Sequence, residues 1–178
     1  MLTLEEIGQS VRNNIQLVID NFGLPLAVGP ISDEDYRILS GGFGELEWDY
    51  ALLEFGNDPD RYEFCIKLVN QGVIQGAPAG AAICVYGIAE DVFRIHIIER
   101  FSRMEEEEHP LKGRMVLITL MSAYLFCMAV ECKQVHIIEP VPELVDYYAS
   151  FGFVMEKCGY IMSAPTETLQ EAFIKFAQ

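Results

Sequence analysis

The chain has 178 residues, of which 51% are hydrophobic, and a formal net charge of −15. This length is enough for one domain with a sizeable core. The charge argues against nucleic-acid binding, because phosphates would be repelled, but it permits a cationic partner. The N-terminus carries no basic region ahead of an apolar block, and the longest apolar run, 115–130, is too short and too mixed for a bilayer span. We therefore expect a cytoplasmic protein without membrane contact.

An amphipathic helix is predicted over residues 3–22. Its apolar side chains recur at steps of three and four residues, which is typical of one buried stripe: Leu4, Ile7, Val11, Ile15, Val18 and Phe22. Thr3 and Glu6 fit a capping box at its start, and Gly23 fits a C-terminal stop.

A second, short helix is expected to begin after Ser32 and to end near Leu39. The glycine-rich segment 41–44 follows. Acidic residues come directly after it, so a phosphate would be poorly received, and the pattern favours a connecting loop.

From residue 61 onward the pattern is that of β-strands. Apolar and polar residues alternate over 61–68, and two further strands are predicted over 81–88 and 92–101. Their short connections favour antiparallel pairing. In the third of these strands one face is expected to carry Phe93, Ile95 and Ile97, and the other Arg94, His96 and Ile98.

The C-terminal half predicts a long helix, a strand, a short helix, two strands and a final helix that Thr166 caps: 115–130, 134–138, 142–151, 153–157, 160–163 and 164–178. The predicted fold class is therefore α/β, with a mixed, mostly antiparallel sheet flanked by helices on both faces. We expect one domain over 1–178, with a helical part at 1–60 and a sheet core at 61–163.

The segment 143–153, Glu-Leu-Val-Asp-Tyr-Tyr-Ala-Ser-Phe-Gly-Phe, ends a short helix with two tyrosines before a glycine and a strand. With the preceding order of elements, it resembles the C-terminal half of the GCN5-related N-acetyltransferases, the GNAT superfamily. These enzymes transfer an acyl group from coenzyme A to an amine. The resemblance implies that Tyr148 protonates the departing thiolate, for which a phenol with a pKa of about 10 is suited. The alternative is that Tyr148 is a core aromatic residue.

The family also places a Gln/Arg-x-x-Gly-x-Gly/Ala motif where its fourth strand passes into the long helix. Segment 110–115, Pro-Leu-Lys-Gly-Arg-Met, keeps one glycine of this motif, and four glutamates precede it at 105–108. Backbone approach to a phosphate tolerates a side chain poorly, so Met115 departs from the pattern. The residues that the resemblance assigns to acetyl-coenzyme A (or another acyl-CoA) are Phe101, Ser102, Arg103, Lys112, Gly113, Arg114 and Met115.

A base must take the proton of the amine. Glu99, near the end of strand four, is the first candidate and His96 the second, followed by His136 and Glu139. The alternative for Glu99 is an exposed residue paired with a neighbouring arginine. No histidine or cysteine spacing supports a metal site.

The resemblance thus implies an acyltransferase that moves an acetyl or other acyl group to a small amine or basic peptide, directly, in a ternary complex, with a homodimer as a possible assembly. Two alternatives stay open. One is a catalytically inactive GNAT-fold binding or regulatory module. The other is an acidic decoy that occupies a basic protein surface, which the net charge of −15 suggests.

Overall fold

The computed structural model describes residues 1–39, 41, 48, 59–72, 78–101 and 109–178. Within them, a seven-stranded sheet has the order β1-β2-β3-β4-β5-β7-β6. Only β4 and β5 pair in parallel, and all other neighbours are antiparallel. The strands are β1 Leu26–Gly29, β2 Arg61–Asn70, β3 Gly80–Gly87, β4 Val92–Arg100, β5 Gln134–Ile138, β6 Val154–Met155 and β7 Ile161–Pro165.

The described helices lie on both faces of this sheet, which confirms the predicted fold class. They are α1 Leu4–Asn21, α2 Asp33–Ile38, α3 Met115–Val130, α4 Val145–Ala149 and α5 Glu171–Phe176, with 3₁₀ turns at Pro142–Leu144 and Thr166–Gln170. Residues 42–44 of the glycine-rich segment, Ser102, Arg103 and the glutamates at 105–108 lie outside the described residues.

The capping signals at the helix starts are confirmed. The Oγ1 of Thr3 accepts a hydrogen bond from the amide of Glu6 at 3.1 Å, and the Glu6 carboxylate accepts one from the amide of Thr3 at 2.7 Å. Gly23 ends α1 with a φ of 68°. Ser32 and Asp35 form the same reciprocal pair at the start of α2. Each pair satisfies amides that the first helical turn leaves unpaired.

Two apolar clusters divide the sheet into an inner and an outer face. The inner face is covered by α1 and α3, and its cluster is centred on Phe126, whose ring lies 5.5 Å from that of Phe64 and 5.3 Å from that of Phe93. The outer face carries a smaller cluster, which includes Ile83 and Trp48 and which α2 borders through Tyr36. The sheet therefore has buried side chains on both faces.

Strand β4 departs from the predicted alternation at His96. Its register with β3 shifts there: Ile95 is opposite Cys84, but Ile97 is opposite Ile83, so His96 is an extra residue, a β-bulge. As a result Ile97 packs with the outer cluster and Ile98 with the inner one, and the expectation that Ile97 shares a face with Ile95 is wrong.

Three local expectations also differ from the structure. The part predicted as helical, 1–60, contains β1, which pairs antiparallel with β2 from Leu26, opposite Asn70. The helix predicted over 142–151 is a 3₁₀ turn followed by the five residues of α4. Thr166 does not cap a helix, because its hydroxyl donates to the carbonyl of Cys132 at 2.8 Å, buried within the fold.

Candidate functional site

Strands β4 and β5 part after a short parallel pairing. Their register runs from Val92 opposite Gln134 to Ile95 opposite Ile137 and ends there. Beyond Ile95, β4 continues to Arg100 and pairs only with β3 among the described residues. A bulge bends its strand and increases the local twist, so the extra residue His96 accounts for the parting at this point. The opening between residues 96–100 of β4, which β5 does not reach, and the end of β5 is called the wedge below.

Helix α3 begins where the chain returns from β4, and its first turn has free amides. Within the described residues, no hydrogen-bond acceptor is present for the backbone N–H groups of Gly113, Met115, Val116 and Leu117. The N-cap residue Arg114 makes no side-chain cap, and the first turn holds no acidic residue. Unpaired amides and the positive end of the helix dipole together favour an anion here.

The backbone of the turn before α3 fits the approach of a bulky anion. Gly113 has a φ of 71°, in the left-handed region, and a Cβ added there would meet no atom within 4 Å. Lys112 is exposed beside it. The Arg114 guanidinium donates to the carbonyl of Pro110 at 2.6 Å, so it is bound to its own turn.

Met115 does not obstruct this turn, contrary to the expectation from its size. Its side chain is 5% exposed and packs in the inner cluster. Its Sδ lies so close to Gly80 of β3 that a Cβ on Gly80 would be 2.7 Å away, and a methyl carbon of Leu111 would be 2.6 Å away. The side chain of Met115 therefore anchors the start of α3 to the sheet, and its backbone amide stays outside the inner cluster.

Tyr148 lies on α4, which follows β5. The residue is 3% exposed, and its ring packs edge-on against Phe153 with centroids 6.1 Å apart. Burial, with a smaller contribution from Tyr147, raises the pKa of Tyr148 to about 12. Because of this raised pKa, Tyr148 stays protonated at neutral pH and can only act as a proton donor there.

Gly152 follows α4 with a φ of 95° and approaches Thr168 so closely that a Cβ on Gly152 would lie 2.9 Å from the Thr168 Oγ1.

Glu99 lies on the outer face, toward the open end of the wedge. Its Oε1 accepts a hydrogen bond from the indole N–H of Trp48 at 3.3 Å. The Trp48 ring is buried and packs against Phe101, with centroids 5.8 Å apart. Glu99 and Phe101 are thus close to each other, whereas Ser102 and Arg103 lie outside the described residues.

The two histidines considered as bases both lie near the inner end of the wedge. Burial, and then the charges of Arg94 and Arg61, lower the pKa of His96 to about 4. His136 is opposite Arg94 on β5, on the outer face. Burial lowers its pKa, Glu156 acts in the opposite direction, and Arg94 lowers it further. Both rings are therefore neutral at pH 7.

Glu139 lies in the turn that follows β5 and is further from the inner end of the wedge than the two histidines. It is exposed after the end of β5, with a φ of 48°, and its amide donates to the carbonyl of Tyr160 at 2.6 Å. This hydrogen bond joins the backbone of Glu139, after β5, to the residue that precedes the neighbouring strand β7.

The parallel direction of β4 and β5 brings the site together. Because the C-terminal ends of parallel strands meet at one edge of a sheet, the start of α3, the wedge and α4 share that edge. The sequence predicted a role for the turn, the strand and the tyrosine, which the structure places along this edge. It missed the bulge, which only the register between β3 and β4 reveals.

Solved structures share this architecture, and the fold is that of the GNAT acetyltransferases. The AtaTR complex with AcCoA has a TM-score of 0.60 at 12% identity over 84% of this chain and 98% of its own. A spermidine N-acetyltransferase SpeG chimera from Vibrio cholerae and hSSAT gives 0.57 at 14%, over 83% and 99%. The ribosomal-protein-S18-alanine N-acetyltransferase from Escherichia coli gives 0.52 at 11%, over 79% and 94%. No protein-family model matches the sequence, and neither does any curated protein.

Two further site types find no support in the described part of the chain. None of its helices is both long and apolar enough to cross a membrane. No group of three or more histidine, cysteine and carboxylate side chains within it is placed to hold a metal ion.

Proposed function

We propose that this protein is an acyl-CoA-dependent N-acyltransferase, which moves an acetyl or other acyl group to an amine by direct transfer in a ternary complex. The observation that supports this most is the parting of β4 and β5 at His96, beside a helix start whose amides are free. A free strand edge can pair with an extended ligand, and free amides can hold a phosphate. The AcCoA complex of AtaTR, with the same fold, supports the same ligand class.

The residues present fit coenzyme A as the donor of the acyl group. In this proposal the amides of Gly113 and Met115 bind the diphosphate, with Lys112 as a nearby positive charge, and the side of β4 that faces the wedge, up to Phe101, lies along the extended arm. Bound acyl-CoA would supply the activated thioester carbonyl and a thiolate leaving group.

Tyr148 keeps its predicted role as the acid in this proposal. Its hydroxyl holds a proton at all physiological pH values, because burial raises its pKa to about 12. An ordinary phenol with a pKa of about 10 matches a thiolate, and the raised pKa of Tyr148 makes proton transfer to the leaving sulfur less favourable than from such a phenol. Glu99, the first base candidate from the sequence, is in this proposal a carboxylate on the outer face that attracts the ammonium group of the acceptor.

The acceptor in this proposal is a small amine or a basic peptide. The net charge of −15 favours association with cations. Two proteins with the same fold are named for amine-bearing substrates, spermidine and the alanine of a ribosomal protein.

Calorimetry with acetyl-CoA tests the proposal, followed by a thiol-release assay with a panel of primary amines. We expect binding in the micromolar range and amine-dependent release of coenzyme A. Binding without transfer to any amine would favour the inactive module, and absence of binding at millimolar acetyl-CoA would refute the donor site itself.

A further inference from the structure

One polar atom near the inner end of the wedge has no partner. The Nδ1 of His136 is buried and forms no hydrogen bond with any described residue. Buried side-chain nitrogens are nearly always hydrogen-bonded, so an exception requires an explanation, such as a catalytic role. The other ring nitrogen, Nε2, lies 3.3 Å from the Oε1 of Gln134, which can only accept. The contact with Gln134 is satisfied by the tautomer that carries the ring proton on Nε2, and this tautomer leaves a lone pair on Nδ1.

His136 and Glu99 also differ in their distance from the inner end of the wedge. An arm that enters beside Gly113 and lies along β4 in the wedge ends at the inner end of the wedge, where β4 and β5 rejoin at Ile95 and Ile137. His136 directly precedes Ile137 in β5. Glu99 lies three residues beyond the bulge toward the open end, about 10 Å away at the usual rise of 3.3 Å per residue. The reacting carbonyl would thus lie closer to His136.

We propose that His136 is the general base of the transfer and takes the proton of the acceptor amine at Nδ1. This inference rests on the proposed function. The histidine removes one proton from the ammonium nitrogen, which frees its lone pair to attack the thioester carbonyl. The C–N bond forms and the C–S bond breaks, the sulfur takes a proton from Tyr148, and the phenolate regains one from the attacking nitrogen. His136 then releases its proton to water, so one proton is produced per turnover.

The groups that face His136 keep it neutral and available. Arg94 lies opposite on β4 and opposes a positive charge on the ring, whereas Glu156, which follows β6, favours one. Ser163 is its partner on β7 and Gln134 its neighbour along β5. Together with burial, these groups lower the pKa of His136 below its ordinary value, so the ring is neutral and can accept a proton at neutral pH.

The first test is spectroscopic and needs no acceptor. The chain has only 3 histidines, so ¹⁵N spectra of histidine-labelled protein can be assigned with the His136→Gln variant. We expect His136 to carry its proton on Nε2 at pH 7 and to titrate below pH 6.5. A ring protonated on Nδ1, or an ordinary titration midpoint, would overturn the inference.

The second test is kinetic, with acetyl-CoA and the amine panel. His136→Gln keeps a polar group near Nε2 and loses the lone pair, whereas His136→Asn keeps an acceptor near Nδ1 that cannot take a proton. Both should lower kcat by roughly 100-fold or more, abolish the acid limb of the pH profile, and leave the Kd for acetyl-CoA within about twofold of the wild-type value.

Glu99→Gln is the matched comparison. A large loss of kcat in Glu99→Gln with wild-type rates in His136→Gln would assign the base to Glu99 and refute the inference. Rescue by His136→Asn would show that Nδ1 only accepts a hydrogen bond and would also refute it. If acetyl-CoA does not bind to the wild-type protein, the proposed function fails, and the spectra still decide the state of the ring.

Discussion

Replacement of Gly113 by alanine separates the donor site from the fold. The residue has a φ of 71° and open space around a Cβ, so Gly113→Ala creates no clash but forces alanine into the left-handed region. That conformation costs about 1 kcal/mol. For a chain of this length the melting temperature should fall by about 2–4 °C. The new methyl group would point into the space where a diphosphate would meet the amides.

Loss of one amide–phosphate hydrogen bond, at about 1.5–3 kcal/mol, would weaken acetyl-CoA binding by roughly 10- to 100-fold. Gly23→Ala is a matched control, because Gly23 has a φ of 68° and the same open surroundings at the end of α1. Thermal melting and calorimetry should show equal destabilisation in the two variants but weaker binding only in Gly113→Ala. Equal affinities in both would refute the donor site at this turn.

Three further outcomes follow from the structure. Tyr148→Phe should keep the packing against Phe153 and the Kd for acetyl-CoA but lower kcat by about 100-fold; an unchanged kcat would remove the acid role. Because burial raises the folded pKa of Tyr148 to about 12, the unfolded chain ionises first, so about 2.7 kcal/mol of stability is present below pH 10 and lost as the pH rises from 10 through 12; urea titrations should show this loss in the wild type but not in Tyr148→Phe, and parallel curves would contradict the assignment. Gly80→Ala would press on Met115 and should destabilise the fold by about 1–3 kcal/mol, with weaker acetyl-CoA binding because the start of α3 shifts; a stable variant with normal affinity would show that the anchor is not needed.

Local signals in the sequence predicted the helix starts and the inner strands well. The Thr3–Glu6 pair and the alternation in β2 depend only on neighbouring residues, so they can be read without knowledge of the fold. Strand β1 could not be found this way. Its four residues lie between Pro25 and Pro30, are too few to show alternation, and form a strand only through pairing with β2, more than thirty residues away.

Some parts of the candidate site can likewise be predicted from the local sequence, and others depend on remote residues. The segment around Tyr148 carries its own signal, because the glycine after the helix is required by its backbone conformation. The bulge at His96 leaves no mark in the sequence, since both residues that follow it are isoleucines and fit either face. The orientation of Met115 also depends on Gly80, a remote glycine that makes room for its sulfur.

The extra residue in β4 has a consequence for how this protein can change over time. If the chain lost His96, Ile97 would directly follow Ile95 in a regular alternation, so Ile97, Ile98 and Glu99 would keep their faces and their partners on β3. The loss would fall on the opening between the strands, because the bulge that bends β4 away from β5 would be gone. A one-residue deletion at this position would keep the architecture and remove the opening, so a single mutational step separates the fold from the proposed site.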